Sequence, residues 1–410
     1  MKYIFLASIV AVTLLELIFI MQLLKSRLFK KNKEYHFCNK KKNIVHIIAA
    51  IGVLCVLYGY FIEPYWVEVK YVTINTNKFA DFGVRVVQIS DIQSDTVIRN
   101  EKKLAEIINP LNPDIIVFTG DTINERKALK NFKSALTNLE ARLGKFAVTG
   151  NVDYMWFKDL DLFSGTGFSD ISNKKVVLKS SFDEDFMLYG MDYNETPSNG
   201  LFDKDANNRL YNIFLYHTPD LIENVSKYNL DLYLAGHTHG GQVRLPFYGA
   251  METFSEFGKK YEMGEYKVGN TTLYVNRGYG LEGGIIPRVR FLCRPEITVF
   301  DIMPIGATRL GTYAKDNFKR DINNYIQFVM VGIIVQYIPI LIILIIRAAI
   351  KGSLSKKKSL MIAVVYFLPV SYIYYKAFMD NPRLIVSIVI VSIGIYFLFS
   401  FEFKKKVHRE

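Results

Sequence analysis

Three of the six histidines of this 410-residue chain fall in its polar middle, in two short blocks: Tyr216-His217-Thr218-Pro219-Asp220 and Gly236-His237-Thr238-His239-Gly240-Gly241-Gln242. Imidazole nitrogens and carboxylate oxygens are the donors that divalent cations take. Upstream stand Ser90-Asp91-Ile92-Gln93, Thr119-Gly120-Asp121 and Thr149-Gly150-Asn151-Val152-Asp153, each behind an apolar run. Asp91, Asp121, Asn151, His217, His237 and His239 thus supply six donors from distant parts of the chain. Asp121, next to a glycine at a strand end, is the natural bridge between two ions, and His237 and His239 can reach different ions from one turn. A lone Asp or Asn after a strand commonly caps a helix, which would account for Asp91 or Asp121 singly. It does not account for the Gly-His-Thr-His-Gly-Gly block.

The elements that must position these residues alternate. Val84–Ile89, Ile115–Thr119 and Phe146–Thr149 read as strands ending at the acidic or amide residues; Glu101–Ile108 and Lys127–Leu143 have amphipathic helical spacing between them. This βαβαβ order puts polar residues at the carboxyl ends of strands, where open α/β sheets place their sites. Further strands are expected at Phe186–Gly190, Tyr211–Tyr216, Leu232–Ala235, Thr271–Asn276 and Glu296–Ile302. Many late strands with few helices imply two packed β-sheets.

Half the residues are hydrophobic, a mixture that points to a globular domain with membrane spans. Apolar stretches long enough, or nearly so, to cross a bilayer run over Tyr3–Leu24, Ile44–Ile62, Tyr325–Ile346, Leu360–Phe378 and Leu384–Phe401. The expected organisation is therefore two transmembrane helices with a basic loop (1–64), a globular domain (65–305), a polar linker (306–324), and three transmembrane helices with a basic tail (325–410).

The net charge of +12 resides in the flanks: residues 65–305 hold 27 Lys+Arg against 31 Asp+Glu, leaving +16 outside them. That distribution argues against nucleic acid as a partner. Basic loops stay cytoplasmic. Lys25–Lys42, Arg347–Lys358 and Lys404–Lys406 are together satisfied by one topology, a multi-pass cell-membrane protein with an extracytoplasmic domain and a cytoplasmic carboxyl terminus. Glu16, mid-span, is expected to make a helix-packing contact. Of Cys38, Cys55 and Cys293 only the last is in the domain, so no disulfide framework forms there.

The blocks around these residues resemble the calcineurin-like metallophosphoesterases, in particular their bacterial membrane-anchored branch. Gly236–Gln242 followed by Val243-Arg244-Leu245-Pro246 carries the resemblance, as do Asn276-Arg277-Gly278-Tyr279-Gly280 and Pro287-Arg288-Val289-Arg290-Phe291. It covers about Val72–Met303 and implies an αββα sandwich. It also implies two divalent ions (manganese, iron or zinc) and attack on phosphorus by a hydroxide bridging them. Carried over by residue, Asp91, Asp121 and His239 would hold one ion and Asp121, Asn151, His217 and His237 the other. Asp121, Asn151 and Asp153 are the candidate catalytic residues; Arg244, Arg277, Arg288 and Arg290 are candidate phosphate contacts, with a surface ion pair the favoured reading for any one of them.

Two positions depart from the family pattern. Gln93 stands where the family's Asp-x-His has histidine, and an amide oxygen ligates more weakly. Val152 replaces the histidine of Gly-Asn-His-Asp, which removes the usual acid unless Asp153 or Tyr154 substitutes. A phosphate leaving group barely needs an acid, whereas an alkoxide does. The expected substrate is accordingly a phosphodiester or pyrophosphate, phosphorylated small molecule or lipid-linked, and no protein partner is indicated. Tyr154-Met155-Trp156-Phe157 would line a lip or pack beneath a loop. The alternative is a catalytically weakened domain that binds a ligand or partner through the retained pocket.

Overall fold

Val84–Ile89 and Ile115–Thr119 are buried at every position, as strands covered on both faces must be. The structure, a computed structural model, describes residues 55–80, 83–180, 184–197, 201–202, 209–283 and 288–307, with isolated positions 49 and 52. The chain divides into two units, Met1–Arg309 and Leu310–Glu410, and the described residues belong to the first.

In chain order the strands are β1 (Glu68–Thr76), β2 (Val84–Ile89), β3 (Ile115–Thr119), β4 (Gly144–Val148), β5 (Phe168–Asp170), β6 (Lys174–Lys179) and β7 (Asp185–Gly190). There follow β8 (Tyr211–Leu215), β9 (Leu232–Ala235), the two-residue β10 (Arg244–Leu245) and β11 (Gly249–Ala250), β12 (Gly264–Val268), β13 (Thr271–Val275) and β14 (Glu296–Pro304). The helices are α1 (Leu104–Ile108), α2 (Leu129–Thr137), α3 (Asn151–Trp156) and α4 (Ile222–Val225).

Two mixed sheets result, ordered β1-β14-β2-β3-β4-β5 and β12-β13-β9-β8-β7-β6. Strands β2 to β5 run parallel, β14 is antiparallel to β2, and β7, β8, β9 and β13 are parallel with antiparallel partners at both edges. Between the sheets, Val84, Val86, Ile115 and Val117 meet Leu188, Ile213, Leu215 and Leu234. The outer face of the first sheet packs Ile89, Ile116 and Phe118 under Leu104, Ile108, Phe132 and Leu136 of α1 and α2. The outer face of the second packs Phe214, Tyr233 and Val275 against Ile222 and Val225 of α4. The order is helix, sheet, sheet, helix, as expected.

The second expected helix is shorter than its pattern. It ends at Thr137, because the chain must return to start β4 beside β3, and the Arg142 and Leu143 amides bond the Pro113 and Asp114 carbonyls at 3.2 and 2.7 Å on the way. Strands β1, β6 and β12 were not anticipated. They are edges rich in lysine, glutamate and exposed positions, where one solvated face blurs the apolar signal.

Among the described residues no helix is long and apolar enough to cross a membrane. The expected spans at 3–24, 325–346, 360–378 and 384–401, the basic loops, Glu16 and nearly all of the linker lie outside the described residues. Of the second span, residues 55–61 are seen, and they are helical.

Candidate metal centre

Strands β2, β3, β4, β8 and β9 all end at one edge of the two sheets, and the first residues beyond them carry the donors. Asp91, Gln93, Asp121, His237 and His239 each have a left-handed backbone, with φ of 49°, 42°, 59°, 70° and 49°. Non-glycine residues rarely adopt that region, and clusters of them mark sites whose surroundings enforce the strain. Glycines make room for the crowding. A Cβ at Gly236 would lie 2.0 Å from Ser90 Oγ and 2.3 Å from Asp91 Oδ2. One at Gly120, itself at φ +93°, would lie 2.5 Å from His217 Nδ1.

The cluster has two centres. In the first, Asp121, His217 and His237 each turn a ligand atom to a common point, all within 4.8 Å of one another. The Thr119 carbonyl accepts from His217 Nδ1 at 2.6 Å, which leaves Nε2 facing inward, 3.4 Å from Asp121 Oδ2 and 2.9 Å from Asn151 Oδ1. His237 directs Nε2 at the Phe254 carbonyl (3.3 Å) and Nδ1 at the same Asn151 oxygen (2.9 Å). Inward-facing ring nitrogens, an amide oxygen and a carboxylate oxygen thus converge on one point. Lone pairs gathered this way repel unless a cation lies among them.

In the second centre, His239 Nε2 lies 3.4 Å from Asp91 Oδ1, and the His237 amide holds both Asp91 oxygens at 3.1 and 3.2 Å. Gln93 donates from Nε2 to Asp121 Oδ2 at 3.3 Å. His239 Nε2 and Gln93 Oε1 are buried with no hydrogen-bond partner. Such orphans are rare in a folded protein and are accounted for by a ligand that the residues were built to hold. The donor set of Asp121, His217 and His237 therefore fits a divalent metal, and the orphaned atoms of His239 and Gln93 lie beside it.

Electrostatics agree. Burial opposes protonation of His217, but the Asp121 carboxylate beside it raises its pKa to about 10. Burial, with Asp121 adding, pushes Asp91 up to about 7, while His217 outweighs burial at Asp121 and holds that carboxyl down at about 2. His239 is driven well below the usual imidazole range by burial and by Arg290, and so stays neutral and able to ligate.

All six donors and Gln93 are brought together. The other candidate residues are engaged within the fold. The Asp153 carboxylate is engaged by its neighbours: its Oδ1 accepts from the Thr122 amide (2.9 Å) and hydroxyl (2.6 Å), and its Oδ2 from the amides of Asp121 and Gly150 (both 2.9 Å). That fills a carboxylate's acceptor sites, so Asp153 shapes the Asp121 turn. Arg277 is held by Glu296 and by Glu68 (2.7 Å), and Arg244 by the Gly240 carbonyl (2.8 Å) and Glu262 (3.2 Å). Both guanidiniums are thus held by neighbouring acceptors. Arg288 pairs with Asp95, and fully buried Arg290 donates to the carbonyls of Arg277, Gly278, Gly280 and Cys293. These arginines build the floor under the His239 loop.

Met155 and Trp156 are exposed, whereas Phe157 is buried, so the aromatic run divides between rim and core. A cavity of about 490 Å³ lies beside the cluster, lined by Thr149, Asp153, Tyr154, Phe157 and Asp192 among others. No metal-facing donor lines it.

A buried cluster of Asp, Asn and His at the strand ends of a two-sheet α/β sandwich is the arrangement of a metallophosphoesterase. The chain belongs to the calcineurin-like phosphoesterase family, whose profile matches residues 84–241. It is 35% identical over 267 residues to the uncharacterized metallophosphoesterase YkuE of Bacillus subtilis, covering 60% of this chain and 89% of that one. It is 28% identical to an uncharacterized metallophosphoesterase of Aquifex aeolicus, covering 62% and 99%. It is 29% identical to the UDP-2,3-diacylglucosamine pyrophosphatase LpxG of Chlamydia trachomatis, covering 61% and 93%. The protein is a hydrolase of this family.

Proposed function

We propose that this protein hydrolyses a pyrophosphate or phosphodiester bond in a lipid-linked substrate at a membrane surface. The observation that carries the reading is Val152. It occupies the place of the family's acid, its amide donates to Asp121 Oδ1 at 2.9 Å, and its side chain packs against the first-sheet core. Neither it nor the fully engaged Asp153 can deliver a proton to a leaving oxygen. A leaving phosphate, ionising at pKa roughly 6–7, departs without one; an alkoxide does not.

Bound at the two centres, divalent ions supply Lewis acidity and activate a water for attack on phosphorus. Asp91, Asp121, His239 and Gln93 are suited to hold the first ion, and Asp121, Asn151, His217 and His237 the second. Asp121, whose Oδ2 is approached by both His217 and Gln93, would serve both ions. A diacylated nucleotide-sugar pyrophosphate, the kind of substrate named for the chlamydial relative, suits this chemistry.

The test compares turnover by the full chain in detergent, loaded with manganese, on a lipid-linked sugar pyrophosphate and on an alkyl phosphate monoester. We expect the pyrophosphate to be preferred by at least about 100-fold, the usual contribution of a general acid. Faster cleavage of the alkyl ester would overturn the reading.

The five apolar segments are proposed to carry the chain across the cell membrane, with the domain outside and the carboxyl terminus inside. The lysine and arginine distribution supports this. Protease added to intact cells should remove the domain and spare a carboxyl-terminal tag; a protected domain would reverse the topology.

A further inference from the structure

Glu282 lies in the glycine-rich loop after β13, beyond the residues that the family profile matches, and nothing above gives it a role. Its Oε2 is 3.9 Å from His239 Nε2, the orphaned nitrogen of the Asp91 centre. The loop is anchored where it matters. Gln242, the last residue of the histidine block, donates to the Glu282 carbonyl at 2.8 Å and accepts the Glu282 amide at 2.9 Å. The residue is thus fixed to the same turn that presents His239, while its side chain remains 43% exposed and able to turn about its own bonds.

The distances fit a shared ion. Ligands bound at about 2.1 Å and separated by 90–109° lie about 3.0–3.4 Å from one another. Asp91 and His239 are already at 3.4 Å, and Glu282 needs to close by about half an ångström, within reach of a small torsional change. The carboxylates of Asp91 and Glu282 both approach the orphaned His239 nitrogen, which a cation would satisfy.

We infer that Glu282 is a ligand of the first metal, supplying a strong donor in place of the imidazole that this chain lacks through having Gln93 where the family has histidine. The inference rests on the dinuclear reading proposed above and deepens it. With Asp91, Asp121, Glu282 and Gln93 against the single nitrogen of His239, the first centre is oxygen-rich. Such a set selects a hard ion of the manganese or magnesium kind over zinc. The second centre, with two imidazoles, keeps the broader tolerance of nitrogen sites.

The full chain in detergent, stripped by chelator, would be titrated with manganese. Free ion would be followed by its paramagnetic resonance signal and bound ion by elemental mass spectrometry. The wild type is expected to bind two ions per chain. Glu282→Gln, which keeps shape and leaves the melting temperature unchanged, is expected to weaken one of them at least tenfold. Adding Gln93→His to that variant restores it. His217→Ala weakens the other ion instead. Two unchanged affinities in Glu282→Gln would overturn the role of Glu282 alone, whereas a wild type that binds no metal would overturn the dinuclear reading with it.

Discussion

The Asp153 carboxylate lies beneath the Asp121 turn and accepts the Asp121 backbone amide at 2.9 Å, from two residues past another ligand, Asn151. One buried side chain therefore joins the ends of β3 and β4 and sets the separation of two metal donors. Its loss should act through geometry. In Asp153→Ala the amides of Asp121, Thr122 and Gly150 are left buried without partners, each costing about 1–3 kcal/mol. We expect a stability loss of about 3 kcal/mol or more and weaker binding of both metals, with similar rate losses for good and poor leaving groups. A loss confined to alkyl substrates, with metal content intact, would instead make Asp153 the acid. Thermal melts, metal analysis and paired substrates distinguish the two.

Metal uptake should release protons. His217 has a pKa of about 10 without metal, and Asp91 one of about 7, yet both must be deprotonated to ligate. Around pH 8 the metal displaces about one proton, from His217, so affinity rises about tenfold per pH unit. Below pH 7 Asp91 adds a second and the dependence steepens. For the metal-free fold the signs agree. A histidine raised above 6.5 contributes stability that is complete below pH 6.5 and lost as pH climbs through 10. An aspartate raised above 3.8 loses its contribution as pH climbs through 7. The apo domain should lose stability steadily from pH 5 to 10, and the metal-loaded one should not. Calorimetry in buffers of different ionisation enthalpy counts the protons; a pH-independent affinity would contradict the assignment.

Much of this centre is legible in the linear chain, for a physical reason. A metal needs particular donors, strand ends deliver them, and crowding demands glycine beside them, so Gly120-Asp121, Gly150-Asn151 and Gly236-His237 announce themselves. What lies one contact away does not. Asp153 reads as a spare acid because nothing in the sequence shows that four donors surround it. Arg244 and Arg277 read as phosphate ligands because their partners Glu262, Glu296 and Glu68 are brought there by folding. Glu282 has no motif of its own. Its only signal is that it is the one carboxylate between Val275 and Glu296, two residues beyond Gly280. The edge strands β1, β6 and β12 escape for a related reason: with one face wet, their lysines and glutamates mask the apolar alternation.

Arg277 should prove structural. It is largely buried against Glu296, which is 2% exposed, and against Glu68 at the start of β1. Removing the cation leaves a buried carboxylate without its partner, a change that costs about 3–5 kcal/mol in comparable pairs. Arg277→Met is expected to lower stability on that scale while the KM of the surviving folded enzyme changes less than about twofold. A large rise in KM at unaltered stability would return Arg277 to substrate binding. Denaturant melts beside steady-state kinetics provide the comparison.

Two glycines offer a way to disable the centres separately. A methyl group at Gly236 meets Ser90 Oγ at 2.0 Å and Asp91 Oδ2 at 2.3 Å, so Gly236→Ala must push Asp91 from its place. A methyl group at Gly120 meets His217 Nδ1 at 2.5 Å and the Gly150 backbone at 2.7 Å, in a conformation with φ of +93° that alanine resists. The first substitution strikes the donors of the Asp91 centre, the second those of the His217 centre. Manganese titration should accordingly find one tight site in each variant, oxygen-rich in Gly120→Ala and nitrogen-rich in Gly236→Ala. Their zinc-over-manganese preferences should differ, with Gly236→Ala favouring zinc more strongly. Loss of both ions in both variants, with the fold intact by circular dichroism, would mean that the two centres fill only together, bridged through Asp121.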